Sequence, residues 1–151
     1  MPTVTLTQQN FHTVVAGNNI VLVDWWAGWC GPCTHFAPVY EDSSDRHSDI
    51  VYGKVDTEAE VQLTAMAQVD RFPTLMGFRE GLLVFNQAGF LPAGDLEEVV
   101  QQIMWLDMDA VRQAAAQAEA QVREGEAHVE SAVEVRGGLA AGPARYGWPG
   151  L

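Results

Sequence analysis

The sequence predicts an α/β fold in which helices flank a central mixed sheet, followed by an added C-terminal helix and a mobile tail. Segments with strand-like and helix-like patterns alternate through much of the chain, and such alternation is typical of parallel strands with helices packed against them. Two later strand-like segments are separated by only two residues, which indicates an antiparallel hairpin. The composition changes after Leu106, where the predicted domain ends.

The first half of the chain contains three strand-like segments rich in apolar and β-branched residues: Thr3–Leu6, Ile20–Trp26 and Ile50–Asp56. The second is apolar throughout apart from Asp24, so we expect it to be a buried central strand. Two helices are predicted between these strands: Thr7–Ala16, capped by its first residue, and Cys30–Arg46. The turn residues Gly17-Asn18-Asn19 would end the first helix, and Pro38 is expected to kink the second.

The second half begins with Thr57-Glu58-Ala59-Glu60, which has the spacing of a helix capping box and predicts a helix to about Gln68. The predicted hairpin consists of two strands joined at Glu80-Gly81: Thr74–Arg79 and Leu82–Gln87. Asp95 then opens an amphipathic helix. Its apolar face is formed by Leu96, Val99, Val100, Ile103 and Met104.

The chain is therefore divided into a domain, residues 1–106, and a C-terminal extension, residues 107–151. From Asp107 to about Glu134 the extension is rich in Ala, Gln and Glu. Its apolar stripe is thin and is interrupted by Gly125; the stripe consists of Val111, Ala115, Ala118 and Val122. Such a helix either packs on the domain or a second copy, or is solvated, and the thin stripe slightly favours the solvated helix. The Gly/Pro-rich stretch from Arg136 is expected to be mobile.

The net charge and the N-terminal residues exclude several classes of protein. A formal net charge of −12 over 151 residues opposes binding to nucleic acid or to an anionic membrane surface. The N-terminus lacks the basic stretch and apolar run of a signal peptide, and no apolar stretch approaches the length of a bilayer span. The sequence therefore predicts a cytoplasmic protein.

Two cysteines, Cys30 and Cys33, are the only ones in the chain and flank Gly31-Pro32 at the start of a predicted helix. A helix N-terminus stabilises a thiolate, the nucleophile of disulfide exchange, and the second thiol lies about one turn away to resolve a mixed disulfide. Half of a zinc site is the alternative, but zinc needs four ligands and His35 would still leave the set short. We therefore expect a redox pair with no metal and no cofactor.

The segment around these cysteines resembles the active site of the thioredoxins, which are disulfide reductases; it reads Val23-Asp24-Trp25-Trp26-Ala27-Gly28-Trp29-Cys30-Gly31-Pro32-Cys33. The likeness extends over roughly Thr3 to Leu106. It includes Pro38, Lys54, Phe72-Pro73-Thr74 and Ala88-Gly89. The resemblance implies a thioredoxin fold and reduction of disulfide-containing protein substrates, with a flavin-containing thioredoxin reductase as the electron source.

The resemblance also implies roles for individual positions. Cys30 matches the attacking cysteine, Cys33 the resolving one, and Pro73 a cis-proline that faces their disulfide. Asp24 matches a buried carboxylate that helps to move the proton of Cys33, and Lys54 a lysine that pairs with it. Burial of a carboxyl group in an apolar strand independently favours a raised pKa and proton transfer near neutral pH. Substrate backbone is expected to dock on Trp29, Gly31, Pro32, Phe72, Ala88, Gly89 and Phe90.

Some residues near the motif depart from the common thioredoxin pattern. Thr34 follows the second cysteine where many thioredoxins have a lysine, and Phe72 and Phe90 are bulkier than usual. These departures leave the cysteine chemistry intact but affect the choice of partner. The sequence favours a general reductase of cytosolic protein disulfides. The alternatives are an electron donor dedicated to one partner, specified by the extension, and a binding module that uses the same groove without turnover.

Overall fold

The computed structural model describes residues 3–127 and 144–145. Six strands are assigned within these ranges: β1 (Thr3–Thr5), β2 (Ile20–Trp26), β3 (Val51–Asp56), β4 (Thr74–Arg79), β5 (Leu82–Ala88) and β6 (Ala144–Arg145). Five helices are assigned with them: α1 (Phe11–Gly17), α2 (Gly31–Arg46), α3 (Val61–Met66), α4 (Ala93–Met104) and α5 (Met108–Ala127).

The strands form one mixed sheet in the order β1-β3-β2-β4-β5-β6. The three N-terminal strands are parallel to one another, and β4, β5 and β6 each pair antiparallel with the preceding strand of that order. Glu80 and Gly81 join β4 to β5 with φ angles of 55° and 76°, the left-handed backbone that two-residue hairpin turns require. The predicted α/β class with a central mixed sheet is confirmed.

The alternating side chains of β2 place apolar residues on both faces of the sheet. Val21, Val23 and Trp25 belong to a core cluster with α1 and α3. Ile20 and Leu22 belong to the cluster with α2 and α4 on the other face. Asp24 shares the parity of this second set, so its carboxyl group lies on the face that α2 covers.

Two predicted helix starts are wrong because side chains near them serve turns instead. The Oγ1 atom of Thr7 accepts hydrogen bonds from the backbone N–H groups of Gln9 and Asn10, and α1 begins only at Phe11. The hydroxyl of Thr57 donates to the carbonyl oxygen of Trp26, 2.9 Å away, and therefore does not cap α3. Asp56 stabilises that turn, since its Oδ1 accepts hydrogen bonds from the N–H groups of Glu58 and Ala59, and α3 spans only Val61–Met66.

The extension packs on the domain through the first part of α5. Met108 and Ala115 are 8% and 3% exposed and form a cluster with Leu82 of β5. Arg112 makes ion pairs with Glu80 of the hairpin turn and with Asp109. Farther along the helix Val122 is 59% exposed. The fully solvated helix that the thin stripe slightly favoured is therefore not what forms.

The remaining expectations for the extension have mixed outcomes. The helix continues through Gly125, the residue that interrupts its apolar stripe in the sequence. Ala144–Arg145 form strand β6 beside β5, although they lie in the stretch predicted to be mobile. The other residues of that stretch lie outside the described ranges, so the prediction of a mobile tail is not tested there. The boundary between residues 106 and 107 also stays a prediction.

Candidate functional site

Cys30 and Cys33 form a disulfide at the N-terminus of α2, with their Cα atoms 5.3 Å apart. Cys30 is the N-cap residue, and Gly31 and Pro32 occupy the first two helical positions, where a missing N–H is tolerated. The Cys30 Sγ atom accepts the backbone N–H of Cys33 at 3.1 Å. In the dithiol form the same N–H and the positive end of the helix would stabilise a thiolate at Cys30.

The loop before β4 approaches the disulfide from the side. The Phe72–Pro73 peptide bond is cis. The carbonyl oxygen of Phe72 lies 3.5 Å from Cys30 Sγ, close enough to accept a hydrogen bond from that thiol once the disulfide is reduced. The carbonyl oxygen of Pro73 accepts the N–H of Gly89 at 2.8 Å, which ties the end of β5 to this loop.

Aromatic side chains border the disulfide. Trp29 is 69% exposed, and its ring meets the ring of Phe72 edge-on at 5.6 Å between centroids. Phe90 is 43% exposed and packs edge-on against Phe36 of α2 at 6.2 Å. The smaller residues of the predicted docking surface, Gly31, Pro32, Ala88 and Gly89, are exposed as well. The predicted surface is therefore open to a partner, and its role in docking stays a prediction.

Asp24 lies on an inner strand of the sheet and lines the same cavity as Cys33. It is 2% exposed and is flanked by Lys54 on β3 and Leu75 on β4. Its Oδ1 atom has no hydrogen-bond partner among the described residues. Burial raises the pKa of Asp24 from its usual 3.8 to about 7, against a smaller lowering by the Lys54 ammonium. The carboxyl group is therefore placed to exchange a proton near neutral pH.

The ion pair expected between Lys54 and Asp24 is not the contact that the structure contains. The Lys54 Nζ atom lies 3.3 Å from Glu41 Oε2 of α2. Lys54 acts on Asp24 only through its electrostatic field. Glu41 was missed in the sequence, although it stands eight residues after Cys33 and hence on the same face of the helix.

A cavity of about 280 Å³ joins these groups. It is lined by Asp24, Trp26, Ala27, Gly28, Cys33, Thr34, Ala37 and Lys54. The lining is mostly apolar, but Asp24, Thr34 and Lys54 supply the polar partners that a water molecule in the cavity would need. Cys33, the buried carboxyl group of Asp24 and Lys54 thus line one cavity, a geometry that permits proton transfer between them.

Glu58 is a second residue that the sequence did not single out. Its Oε1 atom accepts the N–H of Gly28 at 3.2 Å, and Thr57 binds the carbonyl oxygen of Trp26 through both its N–H and its hydroxyl. These bonds fasten the loop before Cys30 to the turn after β3. The described residues contain no group of three or more His, Cys, Asp or Glu side chains that could hold a metal ion. Within the same ranges no helix is long and apolar enough to cross a membrane.

Comparison with known proteins gives consistent matches. The Thioredoxin family model matches residues 2–102. A relative from Streptomyces coelicolor that is named as a thioredoxin is 49% identical over 119 residues, which cover 79% of this chain and 89% of the relative. A thioredoxin of Alicyclobacillus acidocaldarius is 35% identical over 103 residues, covering 68% and 98%. The structure of a Plasmodium falciparum thioredoxin superposes with a TM-score of 0.61 at 29% identity, covering 65% of this chain and 96% of that one.

The match to the Streptomyces coelicolor relative also bears on the extension. Its 119 aligned residues exceed the 106 of the predicted domain, so the similarity includes part of the extension. The thioredoxin resemblance read from the motif is confirmed over the domain. The chain belongs to the thioredoxin family, and its redox-active Cys30–Cys33 pair makes it a thiol–disulfide oxidoreductase.

Proposed function

We propose that this protein reduces disulfides in cytosolic protein substrates and is itself reduced by a thioredoxin reductase. The observation that carries the proposal is the redox pair at the start of α2, with Cys30 beside an exposed aromatic border and Cys33 facing the cavity above Asp24. An attacking sulfur needs a stabilised thiolate, and Cys30 occupies the N-cap position of α2. A resolving sulfur needs a route for its proton, and Cys33 lines the cavity that Asp24 also lines.

In the first step the Cys30 thiolate attacks one sulfur of the substrate disulfide. A mixed disulfide forms between Cys30 and the substrate, and the other substrate sulfur leaves as a thiolate that takes up a proton. The N-terminus of α2 and the N–H of Cys33 favour the thiolate of Cys30 in this role. The substrate backbone around the reacting sulfur would be received by the partly buried Phe72 and by the exposed residues Trp29, Gly31, Pro32, Ala88, Gly89 and Phe90.

In the second step Cys33 attacks Cys30, which restores the disulfide and releases the second substrate thiolate. Cys33 must lose its proton to become a nucleophile. Asp24 in its ionised form would accept that proton through the shared cavity, since its pKa of about 7 matches the working pH. Over both steps two electrons pass from the dithiol to the substrate, and the reductase returns them.

Turnover of insulin tests this proposal. The protein should reduce insulin disulfides when supplied with NADPH and a thioredoxin reductase, and the Cys30→Ser variant should lose this activity. Asp42→Asn, an exposed change on the same helix, serves as a matched control that should keep it. Failure of the unaltered protein to reduce insulin with either the reductase or dithiothreitol would overturn the proposed function.

A further inference from the structure

Glu41 is a partly exposed residue of α2 that has no part in the proposed exchange steps. Its Oε2 atom lies 3.3 Å from Lys54 Nζ, and the side chains of Glu41 and Lys54 are 42% and 29% exposed. The preceding residue, Tyr40, donates a hydrogen bond to the carbonyl oxygen of Gly53 at 2.8 Å. Successive residues of α2 therefore engage successive residues of β3, which places the carboxylate of Glu41 over the lysine.

Lys54 has two carboxyl groups within its range. It is the direct neighbour of Asp24 in the parallel register of β2 and β3. Adjacent strands are about 4.8 Å apart, so a lysine side chain is long enough to reach the neighbouring carboxyl group. The cavity is lined by both side chains and leaves room for that movement. Yet Lys54 forms its ion pair with Glu41, and Asp24 Oδ1 has no hydrogen-bond partner among the described residues.

We propose that Glu41 is a positioning residue, which holds the Lys54 ammonium at the outer edge of the cavity and keeps it from pairing with Asp24. The use of Asp24 as a base rests on the proposed function. The placement of Lys54 by Glu41 does not depend on it. If Lys54 paired closely with Asp24, the positive charge would stabilise the ionised carboxylate. Asp24 would then be a weaker base for the proton of Cys33.

Few other charged or titratable groups face Asp24. From α2 these are Cys33, which shares the cavity, and Tyr40, whose pKa is raised well above its usual value by burial and then by the charge of Asp24. From β3 it is Lys54, and from β4 the neighbouring residue is the apolar Leu75. Tyr40 keeps its proton over the working pH range, so the position of Lys54 is the variable that can tune Asp24.

The test measures the pKa of Asp24 by NMR of its ¹³C-labelled carboxyl group in the full chain. Glu41→Gln should lower this pKa by about one unit as Lys54 turns toward Asp24. Asp42→Asn removes the same charge from the adjacent position. Because the Asp42 carboxylate pairs with Arg46, its removal should leave the pKa of Asp24 unchanged. Amide spectra and thermal melts of each variant check that the fold is retained.

A Lys54→Gln background distinguishes the release of Lys54 from the direct electrostatic effect of losing the negative charge of Glu41. Adding Glu41→Gln in that background should leave the pKa of Asp24 nearly unchanged, since no ammonium remains to move. An equal shift in both backgrounds, or no shift in either, would overturn the proposal. If the shift appears but the pH profile of insulin reduction stays in place, then the positioning role stands and the use of Asp24 in the proposed function fails.

Discussion

Two small clusters outside the main core differ in what surrounds them. The first contains Ala27, Cys30 and Cys33, with Trp26 and Phe72 packed against it. The second contains Leu82, Met108 and Ala115, with Val84, Leu106 and Val111 packed against it. Both are apolar and of similar size. The first adjoins a cavity with a buried carboxyl group, whereas the second has its charges, Arg112 and Glu80, on an exposed rim.

This difference indicates that the cluster around α5 contributes to stability, whereas the cluster around the disulfide serves reactivity. A buried polar atom without a hydrogen bond destabilises the folded state, and Asp24 Oδ1 is such an atom. Closed apolar packing of Met108 and Leu82 stabilises it. Changes around the disulfide should therefore alter rates and can raise stability. Changes around α5 should lower stability and leave the rate of disulfide exchange intact.

The largest expected effect is that of Asp24→Asn. The variant should reduce insulin more slowly at neutral pH, by up to about 10²-fold, because the base for the Cys33 proton is removed. The deficit should shrink at alkaline pH, where solvent can take that proton. Rates measured from pH 6 to 9 check this. An equal deficit at every pH would remove Asp24 from proton transfer.

The same substitution slows the reaction but should increase the stability of the folded protein near neutral pH. In the unfolded chain Asp24 ionises near pH 3.8, and in the folded protein only near pH 7. Folded protein therefore loses stability relative to the variant as the pH rises from 4 to 7, and the loss is constant above. A shift of about three pKa units corresponds to about 4 kcal/mol. Urea unfolding of both proteins at pH 4 and pH 8 measures it, and an unchanged difference would contradict the raised pKa.

Truncation after Leu106 should affect the second cluster and the edge of β5 that pairs with β6, and leave the disulfide cluster in place. It removes Met108 and Ala115 and uncovers Leu82, and each large apolar side chain contributes about 1.5–3 kcal/mol when fully buried. We expect the melting temperature to fall by roughly 10 °C and the insulin reduction rate at 25 °C to be kept. This outcome would support a domain of residues 1–106. Loss of activity in a folded truncated protein would place the extension in the site.

The smallest effects should come from single changes along α5. Met108→Ala should lower the free energy of unfolding by about 2 kcal/mol, because a buried side chain leaves a void. Val122→Ala, at a position 59% exposed on the same helix, should change it by less than about 0.5 kcal/mol. Chemical denaturation of the pair checks the contrast. Equal effects would mean that the whole length of α5 is buried in solution.

The sequence was most informative where one strong pattern acts alone. Ile20–Trp26 is continuously apolar and forms β2 with the predicted bounds. The Cys30-Gly31-Pro32-Cys33 motif predicts its own place at a helix start, and the structure puts it there. Asp24 is identifiable because a carboxyl group in such a strand has few structural uses.

The remaining features depend on contacts between distant segments. Thr7 and Thr57 both resemble helix caps in the sequence. The Thr7 hydroxyl instead accepts a hydrogen bond within a turn, and the Thr57 hydroxyl donates one to the carbonyl oxygen of Trp26 in β2. Local spacing cannot reveal such a competitor. Likewise the partner of Lys54 depends on how α2 lies over β3, and the pairing of Ala144–Arg145 with β5 joins residues far apart in the chain.

Capture of mixed disulfides by single-cysteine variants shows which sulfur attacks the substrate, and we expect Cys30 to attack and Cys33 to resolve. Each variant is incubated in full-length form with an oxidised protein substrate, and adducts are identified by non-reducing electrophoresis and mass spectrometry. Cys33→Ser should accumulate a covalent adduct through Cys30, which dithiothreitol releases. Cys30→Ser should accumulate almost none, because Cys33 lies inside α2 and not at the N-cap position, where the positive end of the helix stabilises a thiolate. Adducts through Cys33 in preference to Cys30 would contradict the account.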